Sequence, residues 1–273
     1  VSGRIYRGPI QAVVLDWGGT VLDHGGCGAV AAMRRTLQEA GVETTEGDLR
    51  RKMGVAKLEQ LRGLFESERI RGAWAIQHGE ALDEPGLERL RTRYRAIELE
   101  TSERQLLPGV MPLHEFLRQL GVMVATTTSQ DRPVLEQMIR MARQQGFHPA
   151  ANACPEDAEG QGRPAPYMCY QLAMHLRLHP LGACVKVGDT VADMEEGRSA
   201  GMWTVGIAET GNEVGLDLTA LSALPAAERN LRVANARTRL KAAGAHFVVD
   251  TLPDCLPVLE RIQQQLLRGN VAN

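Results

Sequence analysis

The run Val13-Val14-Leu15-Asp16-Trp17-Gly18-Gly19-Thr20 constrains this chain more than any other stretch. An apolar, β-branched segment ends on an aspartate, and two glycines follow at once. Such a segment reads as a strand buried on both faces, as in a parallel sheet, and the glycines allow a tight turn where it ends. In open α/β sheets ligands bind at that carboxyl end. An aspartate placed there can attack phosphorus and form an aspartyl-phosphate. Asp in a turn after a strand is also ordinary turn chemistry, so this stretch alone leaves both readings open.

The sequence changes character after Asp23. Between 27 and 105 the pattern is helical only: 29–40, stopping at Gly41; a short helix opened by the capping-box residues Thr45-Glu46-Gly47-Asp48; then 58–67, 69–78 and 85–105. The last is rich in Arg and Glu, the composition of a solvated helix face. A helical block of this length between two strands exceeds an ordinary crossover. It is expected to be an inserted domain, with hinges near His24–Gly26 and 107–109. From 110 onward strands and helices alternate. Strands are predicted at 122–127, 151–154, 185–188, Trp203–Ile207 and 246–250, with helices between them and a closing helix over 253–267. That rhythm implies a parallel sheet covered on both faces. The Gly-containing loop over 211–218 fits no element.

Composition excludes several classes. The formal net charge of -2 in 273 residues comes without a long basic run, and aromatics are few, so nucleic acid is not an expected partner. The five cysteines, Cys27, Cys154, Cys169, Cys184 and Cys255, form no Cys-x-x-Cys pair and suit a reducing compartment. No apolar stretch is long enough to span a bilayer and the amino end has no signal-peptide pattern. The expectation is a cytoplasmic protein with no membrane partner.

Four features fall at or near expected strand ends: Asp16; Thr126-Thr127-Thr128-Ser129; Gly162-Arg163-Pro164; and Gly188-Asp189-Thr190-Val191-Ala192-Asp193. Each has an innocent version, a strand-end threonine, a surface arginine or a turn. Their order is nucleophilic carboxylate, hydroxyl, cation and a second acidic pair. Phosphoryl transfer requires those parts, because its catalysis is mostly positioning and charge neutralisation. Carboxylates can hold Mg²⁺, a hard cation that prefers oxygen, while a hydroxyl and a cation can hold phosphate oxygens.

Over most of the chain these motifs resemble the haloacid dehalogenase superfamily. The resemblance implies a Rossmann-like α/β core of residues 1–24 and 108–273, with an α-helical cap at 25–107. It implies Asp16 as nucleophile, Asp16, the Gly18 carbonyl and Asp189 as Mg²⁺ ligands with Asp193 in support, and Thr128 and Arg163 as holders of the phosphoryl group. Phosphatases and mutases of the superfamily usually carry a second Asp two residues after the nucleophile, where it protonates the departing oxygen. Gly18 has no side chain, so that acid is missing here.

Asp16-Trp17-Gly18-Gly19-Thr20, Met53-Gly54-Val55-Ala56-Lys57, Gly162-Arg163-Pro164, Lys186-Val187-Gly188-Asp189-Thr190, Met168-Cys169-Tyr170, Gly201-Met202-Trp203 and Gly244-Ala245-His246-Phe247 resemble the phosphonoacetaldehyde hydrolase branch. The residue matching Lys57 there forms a Schiff base with the aldehyde, which implies a small phosphonate as substrate. The chemistry explains the pairing of Gly18 with Lys57. Breaking a carbon–phosphorus bond leaves electrons on carbon, and a protonated imine accepts them where no oxygen acid is needed. Lys57 must then be partly neutral, which desolvation favours; its bland alternative is a solvated lysine at a helix start. Met53, one helical turn earlier, shields Lys57 or belongs to the cap core. Homodimers through the cap are also implied by the resemblance.

The chain departs from that branch at Gly26-Cys27, which has an extra glycine, at Gln60 in place of a histidine, and at Ser129-Gln130 in place of Gly-Tyr. Two other readings stay open on the residues alone: a phosphatase or dehalogenase with Lys57 structural, and a catalytically silent phosphate-binding relative.

Overall fold

Residues 6–101 and 104–272 are described by the computed structural model. The first strand, β1 (Ala12–Leu15), alternates as a doubly covered strand must. Val13 and Leu15 enter one hydrophobic cluster, and Ala12 and Val14 enter another on the opposite face. Five helices follow: α1 (Cys27–Glu39), α2 (Glu46–Arg50), α3 (Lys57–Leu64), α4 (Glu68–His78) and α5 (Glu84–Glu100). The alternating part runs α6 (Val110–Gln119), β2 (Met123–Thr127), α7 (Arg132–Gln144), β3 (Ala151–Ala153), α8 (Tyr167–Leu176), β4 (Cys184–Gly188), α9 (Val191–Ser199) and β5 (Trp203–Ile207). It closes with α10 (Leu218–Ala223), α11 (Ala226–Ala242), β6 (Phe247–Val249) and α12 (Cys255–Leu267).

The sheet is six-stranded and parallel in the order β3-β2-β1-β4-β5-β6. This is the expected α/β architecture. The chain moves outward from β1 to β3, then crosses back to lay β4 on the other side of β1. A crevice opens where that order reverses, at the carboxyl ends of β1 and its neighbours. Register aligns those ends: Leu15 lies opposite Thr126 on one side and Val187 on the other. Asp16, Thr127, Thr128, Gly188 and Asp189 therefore leave the sheet at one level.

The helical insert buries its own apolar cluster, among it Leu37, Leu49, Leu61, Ile70, Leu87, Leu90 and Tyr94, apart from the sheet's clusters. Thr45 and Asp48 form the expected capping box at the start of α2. Arg91 on α5 grips Asp131, at the head of α7, through Nε at 3.1 Å and Nη2 at 3.0 Å, tying the insert to the sheet domain's edge.

Some expectations shift. The helix expected over 85–105 ends at Glu100, where Thr101 turns extended; 102 and 103 lie outside the described residues. So do 1–5 and 273 of the expected core. The unplaced 211–218 stretch leads into α10, a short helix whose Asp217 cap accepts the Ala220 N–H; two turns of helix carry too little periodicity to be read in sequence. Met53 sits in the turn between α2 and α3, so it does not share a helix with Lys57, because the chain reverses at Gly54 with φ +93.

Gly109, where the chain re-enters the sheet domain, has φ +92, and a Cβ there would stand 2.4 Å from Pro253 Cδ. Gly109→Ala is expected to cost about 1–3 kcal/mol of stability, read as a lower urea midpoint at unchanged slope.

Candidate active site

The turn after β1 is tied by the Trp17 carbonyl, which accepts the Val21 and Leu22 N–H groups at 2.8 Å each. Gly19 has φ +77, and a Cβ there would fall 2.2 Å from Asp189 Oδ2, so two chain segments approach as closely as glycine permits. Trp17 is fully buried, packs edge-on against Phe147 and donates Nε1–H to Thr126 Oγ1 at 2.8 Å. Strand register and this turn together hold Asp16 over β2 and β4.

Beneath it lies a buried ion cluster. Arg163 reaches Asp16 Oδ1 at 2.7 Å, Asp193 Oδ1 at 3.0 Å and Glu196 Oε2 at 2.9 Å. Lys186 reaches Asp193 at 2.9 Å, Glu196 at 3.1 Å and the Thr127 hydroxyl at 2.8 Å. Asp193 also closes the capping box of α9, accepting the Thr190 hydroxyl at 2.6 Å. Burial works to raise the Asp193 pKa, but Arg163 and Lys186 outweigh it and hold the carboxyl below its ordinary range. Lys186 moves the opposite way: burial pushes it down, yet Asp193 and Glu196 lift it overall.

Asp189 is different. It accepts the Asn212 N–H at 2.7 Å and the Thr20 hydroxyl at 3.3 Å, and among the described residues it has no cationic partner. Burial, then the charges of Asp16 and Asp193, push its pKa well up; burial also raises that of Asp16, against the pull of Arg163. Oxygen atoms of Asp16, Asp189 and Asp193 lie within 4.8 Å of one another. Four buried carboxylates thus face two buried cations, with the shortfall at Asp189. That donor set suits a divalent, oxygen-seeking cation such as Mg²⁺. Asp189, which lacks a cation among the described residues, and Asp16 line the cavity and are the carboxylates placed to hold one, with Gly18 on the same wall; Asp193, bound by both Arg163 and Lys186, is not part of that wall.

Asp16, Gly18, Met53, Lys57, Thr128, Arg163 and Asp189 line one cavity of about 40 Å³ between the sheet's carboxyl end and the insert. Asp193 sits below it, and Cys27 is not part of its wall. Lys57, at the first position of α3, is only 2 % exposed, so a solvated lysine does not describe it. Its Nζ donates to Gln60 Oε1 at 3.1 Å and lies 5.5 Å from the centre of the Tyr94 ring. Burial pulls its pKa down to about 8, with Glu98, Asp131 and Asp16 opposing. Gln60 in turn donates Nε2–H to the Leu49 carbonyl at 3.1 Å and to Met53 Sδ at 3.2 Å, which fixes the amide's direction.

Several members of the site were missed. Arg50 at the end of α2 donates to the Gly25 and Gly215 carbonyls at 2.7 and 2.9 Å and to Asn212 Oδ1 at 3.0 Å. The loop left unplaced in sequence is therefore gripped by the insert while its Asn212 backbone holds Asp189. Nothing local in Arg50 signals this. Lys186 did leave a signal: a lysine between two valines in a strand expected to be wholly buried must have an anionic partner. Glu196, three residues after Asp193 on α9, joins Asp193 as its partner.

A profile described as haloacid dehalogenase-like hydrolase matches residues 10–201. The chain is 36% identical over 269 residues to a phosphonoacetaldehyde hydrolase of Nitratidesulfovibrio vulgaris, covering 98% of this chain and 96% of that one. A phosphonoacetaldehyde hydrolase-like protein of Syntrophobacter fumaroxidans is 35% identical, with coverages of 97% and 96%. The crystal structure of a phosphonoacetaldehyde hydrolase-like protein from Oleispira antarctica superimposes with a TM-score of 0.93 at 33% identity, covering 99% of each chain.

Lys186→Met removes one of two cations from a cluster that stays buried. It is expected to cost about 3–5 kcal/mol of stability, measurable by denaturant unfolding; a loss below about 1 kcal/mol would mean the pairing is not what compensates Asp193 and Glu196.

Proposed function

From the premise that this chain belongs to the haloacid dehalogenase-like hydrolases, and among them to the phosphonoacetaldehyde hydrolases, we propose that it splits phosphonoacetaldehyde and water into acetaldehyde and phosphate. The observation that carries the reading is Lys57: a buried amine, pulled down to about pH 8, in one cavity with Asp16 and a side-chain-free Gly18. The insert, 25–107, acts as the cap that keeps this lysine dry over a core of 1–24 and 108–273.

The neutral Lys57 amine attacks the aldehyde carbon, and loss of water leaves a protonated imine. An Asp16 oxygen attacks phosphorus as the carbon–phosphorus bond breaks, and the bond pair moves through carbon to the imine nitrogen, giving an enamine. The enamine takes a proton at carbon and water releases acetaldehyde from Lys57; a second water frees phosphate from Asp16. Thr128 and Arg163 hold the phosphonate oxygens, and Met53 and Gln60 keep Lys57 aimed. Bound Mg²⁺ would offset the negative charge that phosphonate and carboxylates bring together, held by Asp16, Asp189 and the Gly18 carbonyl with Asp193 in support. A Cβ at Gly18 would meet nothing within 4 Å, so room exists for an acid where none is present, which disfavours a phosphomonoesterase. A cytoplasmic homodimer joined through the cap belongs to the same reading.

Reduction with borohydride in the presence of the aldehyde substrate is expected to inactivate the protein and leave an adduct on the Lys57 peptide. Lys57→Arg keeps the charge but has no neutral amine. It should lose phosphonate turnover by on the order of 10³-fold or more while still binding Mg²⁺. An adduct elsewhere, or normal turnover by Lys57→Arg, would sink the imine route.

The acid limb of the rate should follow Lys57. Below about pH 8 the amine is mostly protonated, so kcat/KM is expected to rise about tenfold per unit and level off above that pH. A profile flat from pH 6 to 8 would contradict a neutral Lys57 nucleophile.

A further inference from the structure

Gln130, in the loop between β2 and α7, lines the same cavity as Lys57 and is 7 % exposed. A one-way chain of hydrogen bonds sets its amide. Arg104 Nη2 donates to Glu98 Oε2 at 2.6 Å, and the Tyr94 hydroxyl donates to Glu98 Oε1 at 3.2 Å. With its proton committed to the carboxylate, the Tyr94 oxygen can only accept, and Gln130 Nε2–H meets it at 2.9 Å. The other end of the amide is thereby a carbonyl. That oxygen, Oε1, is buried and has no donor among the described residues. Buried acceptors are nearly always satisfied, so an orphan on the wall of a reactive cavity points to a donor that arrives with the reaction.

Lys57 is not that donor at rest: its Nζ bonds Gln60 Oε1 at 3.1 Å, and it makes no hydrogen bond to Gln130 Oε1. Phosphonoacetaldehyde itself brings mainly acceptors. A new donor arises on the substrate once Lys57 nitrogen bonds to the aldehyde carbon. The carbonyl π pair moves to oxygen, and that oxygen takes a proton from the nitrogen, forming a carbinolamine hydroxyl. We propose that Gln130 Oε1 accepts the hydrogen bond of this hydroxyl and so selects and steadies the aldehyde end of the substrate during imine formation. The inference rests on the Lys57 reading above. The amide transfers no proton; the hydroxyl leaves as water with a proton drawn from solvent, and the protonated imine remains.

The test times labelling of Lys57 by acetaldehyde and cyanoborohydride, with the adduct located by mass spectrometry, in wild type, Gln130→Met and Tyr94→Phe. Acetaldehyde keeps phosphoryl chemistry out of the readout. Gln130→Met is expected to label about tenfold or more slowly, at a melting temperature little changed, because losing the hydrogen bond to Tyr94 offsets the removal of an unpartnered buried acceptor. Tyr94→Phe frees the amide to turn over and should slow labelling less, in the same direction. Wild-type labelling rates in folded Gln130→Met overturn the proposal, as does a fall in melting temperature without a fall in rate. If Gln130→Met does not fold, a wild-type rate in Tyr94→Phe overturns it. Failure of wild type to label at Lys57 would instead remove the imine reading and this contact together.

Discussion

The ion cluster of Asp16, Asp189, Asp193 and Glu196 with Arg163 and Lys186 sits where β1 and β4 lie side by side, almost wholly out of water. Burying charge is costly unless each ion is paired and hydrogen-bonded. Three of the four carboxylates meet that condition through two cations, and one does not. The pairing explains how Asp16 stays in place at the sheet's carboxyl end: Arg163 holds it from below while the Trp17 turn holds it from its own backbone. The deficit at Asp189 explains where a divalent cation fits the charge balance.

The insert depends on the same geometry from above. Gly54 turns at φ +93, and a Cβ there would come 2.3 Å from Thr190 Oγ1, so the segment carrying Met53 and Lys57 closes directly onto the start of α9. Arg50 adds a polar grip on the Asn212 side chain and the Gly215 carbonyl. Cap position and Asp189 orientation are thus joined through Asn212, whose side chain meets Arg50 and whose N–H meets Asp189. The closure also withholds water from Lys57, and desolvation is the largest cause of its lowered pKa. A lysine on an open helix face would have no such shift.

Around Lys57 the departures seen in sequence fit together once placed. Gln60 orients the amine, and its own orientation comes from a backbone carbonyl and Met53. Gln130 is fixed by Tyr94, Glu98 and Arg104, all from the helical region and its exit. Neither glutamine titrates, so near Lys57 these two side chains arrange hydrogen bonds and do not exchange protons.

The order of elements was legible because periodicity is local: β-branched runs for β1 and β4, helical spacing in the insert, glycines and capping boxes at the ends. The parallel sheet followed from alternation, and Asp16, Asp189 and Asp193 followed from their places after strands. Short pieces without enough periodicity, α10 and the 211–218 loop, were not legible, and the end of α5 was placed too late because a charged helix face has no sharp stop. What only the folded chain decided were pairings across long separations: Arg163 with Glu196, Lys186 with Asp193, Arg50 with Asn212, and Gln130 with Tyr94. A sequence states which residues can be charged or can donate. Which of them lose water together, and which is left without a partner, depends on a closed packing of cap on core that no local pattern encodes.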